Sequence, residues 1–185
     1  IVAGLAVAGA GVAAPQPASA QISAGVVVDR DGLRHLHLAI GHYWGVPVET
    51  VYRYHPSWIL PEELPVVYML AHHGRVSPEV ILALRQQGWS WLDITYHLRL
   101  DPAIFVAHLG PPYGVAHGYW RKPSRSQLRR LSDRHIIDYV NVYFWAGYTR
   151  RPVREIIVIR ERVPSWTHYV RVEAPRVQVR NPGRA

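Results

Sequence analysis

The sequence predicts an all-α protein, an irregular bundle of repeated helix-turn-helix units, with a short N-terminal β-hairpin as the single candidate exception. Three observations carry this. Apolar residues recur at helical spacing from Leu38 onward. Prolines stand where helices should begin, with a carboxylate in the first turn behind them: Pro47 before Glu49, Pro78 before Glu79, Pro152 before Glu155. Proline at the first helical position loses no hydrogen bond, and early acids suit the helix dipole. Third, three stretches resemble one another, and a single helix pair cannot bury its own apolar face, so the copies should pack together.

The copies run as follows. Tyr43-Trp44-Gly45-Val46-Pro47-Val48-Glu49 precedes Pro56-Ser57-Trp58. Val76-Ser77-Pro78-Glu79-Val80-Ile81 precedes Gly88-Trp89-Ser90-Trp91. Phe144-Trp145-Ala146-Gly147, then Arg151-Pro152-Val153-Arg154-Glu155, precedes Pro164-Ser165-Trp166. Serine before tryptophan reads as an N-cap at Ser57, Ser90 and Ser165. Recurrence at these positions makes most of Trp44, Trp58, Trp89, Trp91, Trp145 and Trp166 core residues. The first and last copies also share openings, Arg34-His35-Leu36 and Arg134-His135-Ile136. Their irregular spacing argues against a long solenoid.

Ahead of the bundle, Gly25-Val26-Val27-Val28 and Asp31-Gly32 read as a short strand and tight turn. Residues 33–37 either return as a second strand or open the first helix. Residues 110–120 are rich in Gly and Pro, carry Tyr113, Tyr119 and Trp120, and read as a loop. A strongly basic stretch over 121–134 follows and enters the next helix.

Residues 1–20 read as an export leader. Residues 1–14 are all Ile, Val, Ala, Leu or Gly. At about 1.5 Å per residue they give about 21 Å of helix, short of a bilayer core of about 30 Å. Pro15 and Pro17 then break the helix, and Ala18-Ser19-Ala20 offers a small-x-small cleavage site. The chain as written starts inside that leader, is cut after Ala20, and so belongs to the periplasm or cell envelope of a bacterium. Residues 21–173 form one helical domain, and 174–185 a flexible basic tail. With no cysteine, stability rests on packing alone, and a thiol-linked lipid anchor is excluded.

Charge is divided unevenly. Through Leu100 the chain sums to −1; the remainder carries fifteen Lys or Arg against six acids, or +9. All but one of the basic residues are arginine, the exception being Lys122. Arginine favours forked contacts to carboxylate and phosphate and stacks on aromatic rings. A basic half of this kind seeks an acidic neighbour: lipid headgroups, lipopolysaccharide, an acidic glycan or another envelope protein. The candidate binding residues are Tyr113, Tyr119 and Trp120 in the loop, Arg121 and Lys122 beside it, and Arg125, Arg129, Arg130 and Arg134 beyond.

Four runs resemble a family of exported, leader-bearing bacterial helical proteins of unknown function. They are Leu60-Pro61-Glu62-Glu63-Leu64-Pro65-Val66-Val67-Tyr68, Val76-Ser77-Pro78-Glu79-Val80-Ile81, Trp91-Leu92-Asp93-Ile94-Thr95 and Gly110-Pro111-Pro112-Tyr113-Gly114. The resemblance spans residues 38–171. It implies a secreted helical domain and brings no activity and no catalytic residues.

Chemistry-bearing constellations are sparse, and no catalytic residue, cofactor or metal is assigned. There is no Gly-x-Ser-x-Gly elbow. Glu62 and Glu63 would point about 100° apart on a helix, so they cannot face one substrate. His35 and His37 would share a face only on a strand, and His72 and His73 close a helix where the dipole favours them. Two rival readings remain. Residues 38–53, and Trp91-Leu92-Asp93-Ile94-Thr95-Tyr96-His97-Leu98 with Asp101-Pro102-Ala103-Ile104-Phe105, scan like DNA-reading helix-turn-helix units. The first offers Glu49, Thr50 and Arg53 to a groove; the second is apolar, and export would remove it from DNA. An enzyme of unfamiliar type would need a cleft joining His72, His73 and Asp93.

Overall fold

The computed structural model describes residues 30–109 and 119–172. These residues are all-α, with no strand among them. Helix α1 spans Arg30–Trp44 and α2 Val48–Arg53. A 3-10 turn, Pro61–Glu63, leads into α3, Leu64–Gly74, followed by α4, Pro78–Gln86, and α5, Trp91–His97. A second 3-10 segment, Pro102–Val106, precedes α6, Arg125–Leu128. The chain closes with α7, Asp133–Thr149, α8, Val153–Arg162, and α9, Trp166–Val172.

The three sequence copies become three alike units. A longer helix (α1, α3, α7) ends, the chain reverses, and a shorter helix (α2, α4, α8) starts behind a proline and packs back on it. The long helices pack on one another and α9 packs on α1, so the buried side chains of all three units form one hydrophobic cluster. Trp91, Trp145 and Trp166 lie fully buried within it.

The reversals share one device. A left-handed residue ends the helix, and the next residue donates its N–H to a carbonyl five positions back. Gly45 does this after α1 (Val46 N to Gly41 O, 2.9 Å), Arg75 after α3 (Val76 N to Ala71 O, 3.1 Å), and Arg150 after α7 (Arg151 N to Ala146 O, 3.1 Å). Arg99 and Gly88 repeat it after α5 and α4. Proline follows two or three residues after four of these five, so each helix is stopped and the next started within a few residues.

Close packing of the first unit makes a specific demand at Gly41. A Cβ there would sit 2.8 Å from the Val46 carbonyl oxygen and 3.6 Å from Val48 Cα. Both are backbone atoms, one in the turn and one at the start of α2, so no side chain can swing aside. Gly41→Ala should therefore lower stability by about 1–3 kcal/mol, the range for overpacking. Thermal denaturation checks this, and an unchanged midpoint would mean the turn yields freely.

Several expectations need correction. Of the two readings of residues 33–37 the helical one holds: they belong to α1, which already contains Asp31 and Gly32, while 25–28 lie outside the described residues. The reason is tertiary: Leu36, Ala39 and Ile40 are all fully buried, at the spacing of one helix face. His35 and His37 consequently separate. His35 stacks on Trp145 (6.2 Å, 3°), while His37 meets His55. Ser90 and Ser165 are N-caps, accepting from Asp93 N and His168 N, both at 3.1 Å. Ser57 is not: it sits in a turn, and Trp58 stays 44 % exposed. The leader and the 174–185 tail lie outside the described residues. No helix among those described is long and apolar enough to cross a membrane.

Candidate binding surface

Residues 119–134 form a ridge tied down at both ends. At its start, Tyr119 O–H donates to Asp138 Oδ2 (2.6 Å), and Tyr139 O–H donates to the Tyr119 carbonyl (2.9 Å). Trp120 is 5 % exposed and sets its ring edge-on to Tyr119. Further along, Leu128 and Leu131 are buried. Between these anchors, Ser124 and Gln127 cap each other (Ser124 N to Gln127 Oε1, 2.9 Å; Gln127 N to Ser124 Oγ, 3.4 Å), which starts the one-turn helix α6. With the apolar side chains turned inward, Arg121, Lys122, Arg125, Arg129 and Arg130 are all exposed.

Among the described residues none of these five cations has a carboxylate partner. The ion pairs use Arg85, Arg134, Arg151 and Arg160 instead. Two cavities flank the ridge. One of about 460 Å³ is walled by Tyr119, Arg121, Gln127, Arg130 and His135. Across α6 another of about 430 Å³ is walled by Tyr96, Asp101, Lys122, Arg125 and Arg129. A smaller one of about 240 Å³ lies beside Tyr119 and Arg134. The first two are of the size that holds small ligands.

The ridge rests on two buried carboxylates. Asp138, 3 % exposed, accepts from four donors, one each on α7, α8, α9 and the start of the ridge. These are Tyr119 Oη and Trp166 Nε1, each at 2.6 Å, Arg160 Nε at 3.2 Å and Arg134 Nε at 3.3 Å. Its negative charge raises the Arg134 pKa. Burial, then the hydrogen bond to Asp138, pushes the Tyr119 phenol up. Glu63, 6 % exposed, accepts from Arg85 Nη2 (2.8 Å) and from Leu60 N (3.1 Å). Arg85 also donates to Asp133 Oδ2 (2.6 Å) and lies 4.5 Å over the Trp91 ring. Burial opposes the Arg85 charge, but Glu63 and Asp133 outweigh it and raise its pKa.

Of the candidate binding residues, the six cations and Tyr119 therefore belong to one surface, while Tyr113 lies outside the described residues. Two assignments change. Trp120 is not an exposed stacking ring, since the slot beside Tyr139 buries it (ring centroids 6.1 Å). Tyr119 is half-buried, with one face against His135 (5.0 Å, 20°). An indole gains more from burial than a loop gains by leaving it in water. Arg134 is also partly committed, through Asp138.

Sequence reasoning missed His135, Tyr96, Asp138 and Arg160. Asp138 carried a usable signal: it is the one acid in the apolar run Ile136-Ile137-Asp138-Tyr139-Val140, four residues after Arg134. An acid on a buried face requires partners.

The residues of the rival constellations take other places in the fold. Asp93 is engaged as a helix cap, accepting from Ser90 Oγ at 2.6 Å. His72 and His73 face each other at the exposed end of α3. The second DNA-reading candidate ends in the 3-10 segment Pro102–Val106, with Pro102, Phe105 and Val106 buried. In the first, α2 is only six residues long. Among the described residues no group of three or more His, Asp or Glu could hold a metal ion. Comparison with protein-family models, curated proteins and solved structures finds no match to this chain.

Proposed function

We propose that the protein is an exported, non-enzymatic component of a bacterial cell envelope that binds an anionic partner through the 121–134 ridge. The leader read in residues 1–20 delivers it to the periplasm after cleavage behind Ala20. The observation that carries the reading is the set of five exposed cations that have no carboxylate partner among the described residues, raised between two cavities on a base tied together by Asp138 and Glu63. Charges left unpaired on a rigid support pay little reorganisation cost when an anion arrives.

The test is binding to lipopolysaccharide, peptidoglycan and phosphatidylglycerol vesicles, compared at low and high salt. Each basic residue near an anionic surface is worth about 1 kcal/mol, so replacing Arg125, Arg129 and Arg130 together by Ala should weaken binding about a hundredfold. All three are exposed and lie away from the Asp138 cluster, so the variant should fold normally. Absence of low-salt binding to all three materials rejects the reading. The address is checked separately: fractionation should find the mature chain outside the cytoplasm with Gln21 first.

A further inference from the structure

The two cavities that flank the basic ridge belong to a longer trough that crosses it at Pro123. The cavity holding Arg125 and Arg129 shares Tyr96 with a third, more open one of about 630 Å³, walled by Trp89, Asp93, Tyr96 and His97. On its other side it shares Pro123 with the cavity holding Arg121 and Arg130. Three cavities thus succeed one another from α5 across α6 to the start of α7. Such a row suits an extended polymer better than a compact ligand.

The chemistry changes along the row. The α5 end is aromatic: Tyr96 is 45 % exposed, and Trp89 packs edge-on against His97 (5.2 Å). The α6 and α7 parts are cationic. Interleaved with both are two acids, each with one oxygen occupied. Asp93 Oδ2 accepts from Ser90, and Asp101 Oδ1 accepts from Ala103 N at 2.9 Å. Their other oxygens have no hydrogen-bond partner among the described residues. Both acids are exposed, and an open acceptor beside these cations suits a ligand that brings hydroxyl or amide donors as well as acidic groups. It also repels a polymer charged at every unit, as a nucleic acid backbone is.

We infer that the trough binds an acidic glycan, with sugar rings on Tyr96 and Trp89, hydroxyls on Asp93 and Asp101, and spaced acidic groups on Arg125, Arg129, Arg121 and Arg130. This rests on the anion-binding role proposed for the ridge and specifies its ligand. A flat lipid surface would engage the ridge crest and leave the recessed cavities unused. A glycan strand fills them in sequence, so affinity should grow with strand length.

Calorimetry with hyaluronan, which carries one carboxylate per disaccharide, tests this against polyphosphate, oligodeoxythymidine and phosphatidylglycerol vesicles. The decasaccharide should bind more tightly than the tetrasaccharide by about tenfold or more, because it spans adjoining cavities. Tyr96→Ala should weaken the decasaccharide about tenfold, as loss of an aromatic anchor does, and leave polyphosphate and vesicle binding unchanged. If polyphosphate matches the decasaccharide and Tyr96→Ala changes neither, the glycan inference falls while the basic surface stands. Tighter binding of oligodeoxythymidine than of the decasaccharide also overturns it, in favour of a nucleic-acid strand. If no probe binds at low salt, both the inference and the ridge's proposed role fail.

Discussion

Asp138→Ala is expected to lower the unfolding free energy by about 3–5 kcal/mol, the cost of removing one partner from a buried charge cluster. The loss comes less from the four hydrogen bonds themselves than from what they leave behind. Arg160, whose side chain is 12 % exposed, would keep its charge without the Asp138 carboxylate. The Trp166 indole N–H, in a residue 1 % exposed, would have no acceptor in place of Asp138 Oδ1. The same carboxylate joins α7, α8, α9 and the start of the ridge, so the variant should also loosen Tyr119 and blunt any binding by the ridge. Asp138→Asn separates charge from shape. It keeps one acceptor oxygen but turns N–H donors toward donors, and should cost about 1–3 kcal/mol. Urea denaturation at neutral pH measures both. A loss below about 1 kcal/mol for the alanine variant would show that solvent reaches the cluster and that it does not hold the elements together.

The contrast between what could and could not be read from the sequence follows from the range of the interactions involved. Helix starts were legible because proline and serine act within one turn. Pro47, Pro78 and Pro152 all stand at the entries of α2, α4 and α8, and Ser90 caps α5. Helix ends were less so. Three of the five left-handed stops use Arg75, Arg99 and Arg150 rather than glycine, and arginine carries no local mark of that conformation. Ser57-Trp58 gave the same local signal as Ser90-Trp91, yet no helix follows it. Pro61 lies four residues after Ser57, where its ring would meet the Ser57 carbonyl and its missing N–H would break the first turn. At Asp31-Gly32 the turn signal lost to packing: Leu36, Ala39 and Ile40 share one buried face only on a helix, and α1 starts ahead of them.

The candidate surface divides in the same way. Its cations were legible as composition, since six of them fall within 121–134. Their common exposure follows from Leu128 and Leu131 turning inward, which helical spacing suggests. The trough was not legible, because Tyr96 and Asp101 come from segments about twenty-five residues upstream of α6 and only tertiary packing brings them alongside. Asp138 was overlooked for a related reason: three of its four donors, Tyr119, Arg160 and Trp166, lie 19 to 28 residues away.

Acid should unfold this protein through its buried histidines. Burial, then the neighbouring His55, holds His37 down at about pKa 4, and burial alone holds His108 at about 4, against 6.5 for a free imidazole. His35 and His55 are lowered by burial as well. Geometry supports the direction. His55 Nε2–H donates to the Ile59 carbonyl (3.3 Å), so its Nδ1 accepts from His37 Nε2–H (2.8 Å). That leaves His37 Nδ1 buried with no partner for an added proton among the described residues. Tyr52 covers the same ring edge-on, and among the described residues no carboxylate pairs with it. Both ring nitrogens of His108 are buried beside Tyr143 without partners among the described residues. A folded pKa below the unfolded one means the unfolded chain binds more protons between the two values, so stability rises with pH in that window. The contribution is therefore complete above about pH 6.5 and is lost as pH falls toward about 4. Each of the two histidines can withdraw about 3 kcal/mol over that range, together a large share of a typical domain's stability. His108→Phe supplies the decisive comparison. It keeps an apolar ring in place and removes the titrating nitrogens, so it should be near neutral at pH 7.5 and flatten the acid limb by about half. Urea midpoints between pH 7.5 and 4 measure this. An acid limb equally steep in wild type and in His108→Phe would move the cause of acid unfolding to the carboxylates of the Asp138 and Glu63 clusters.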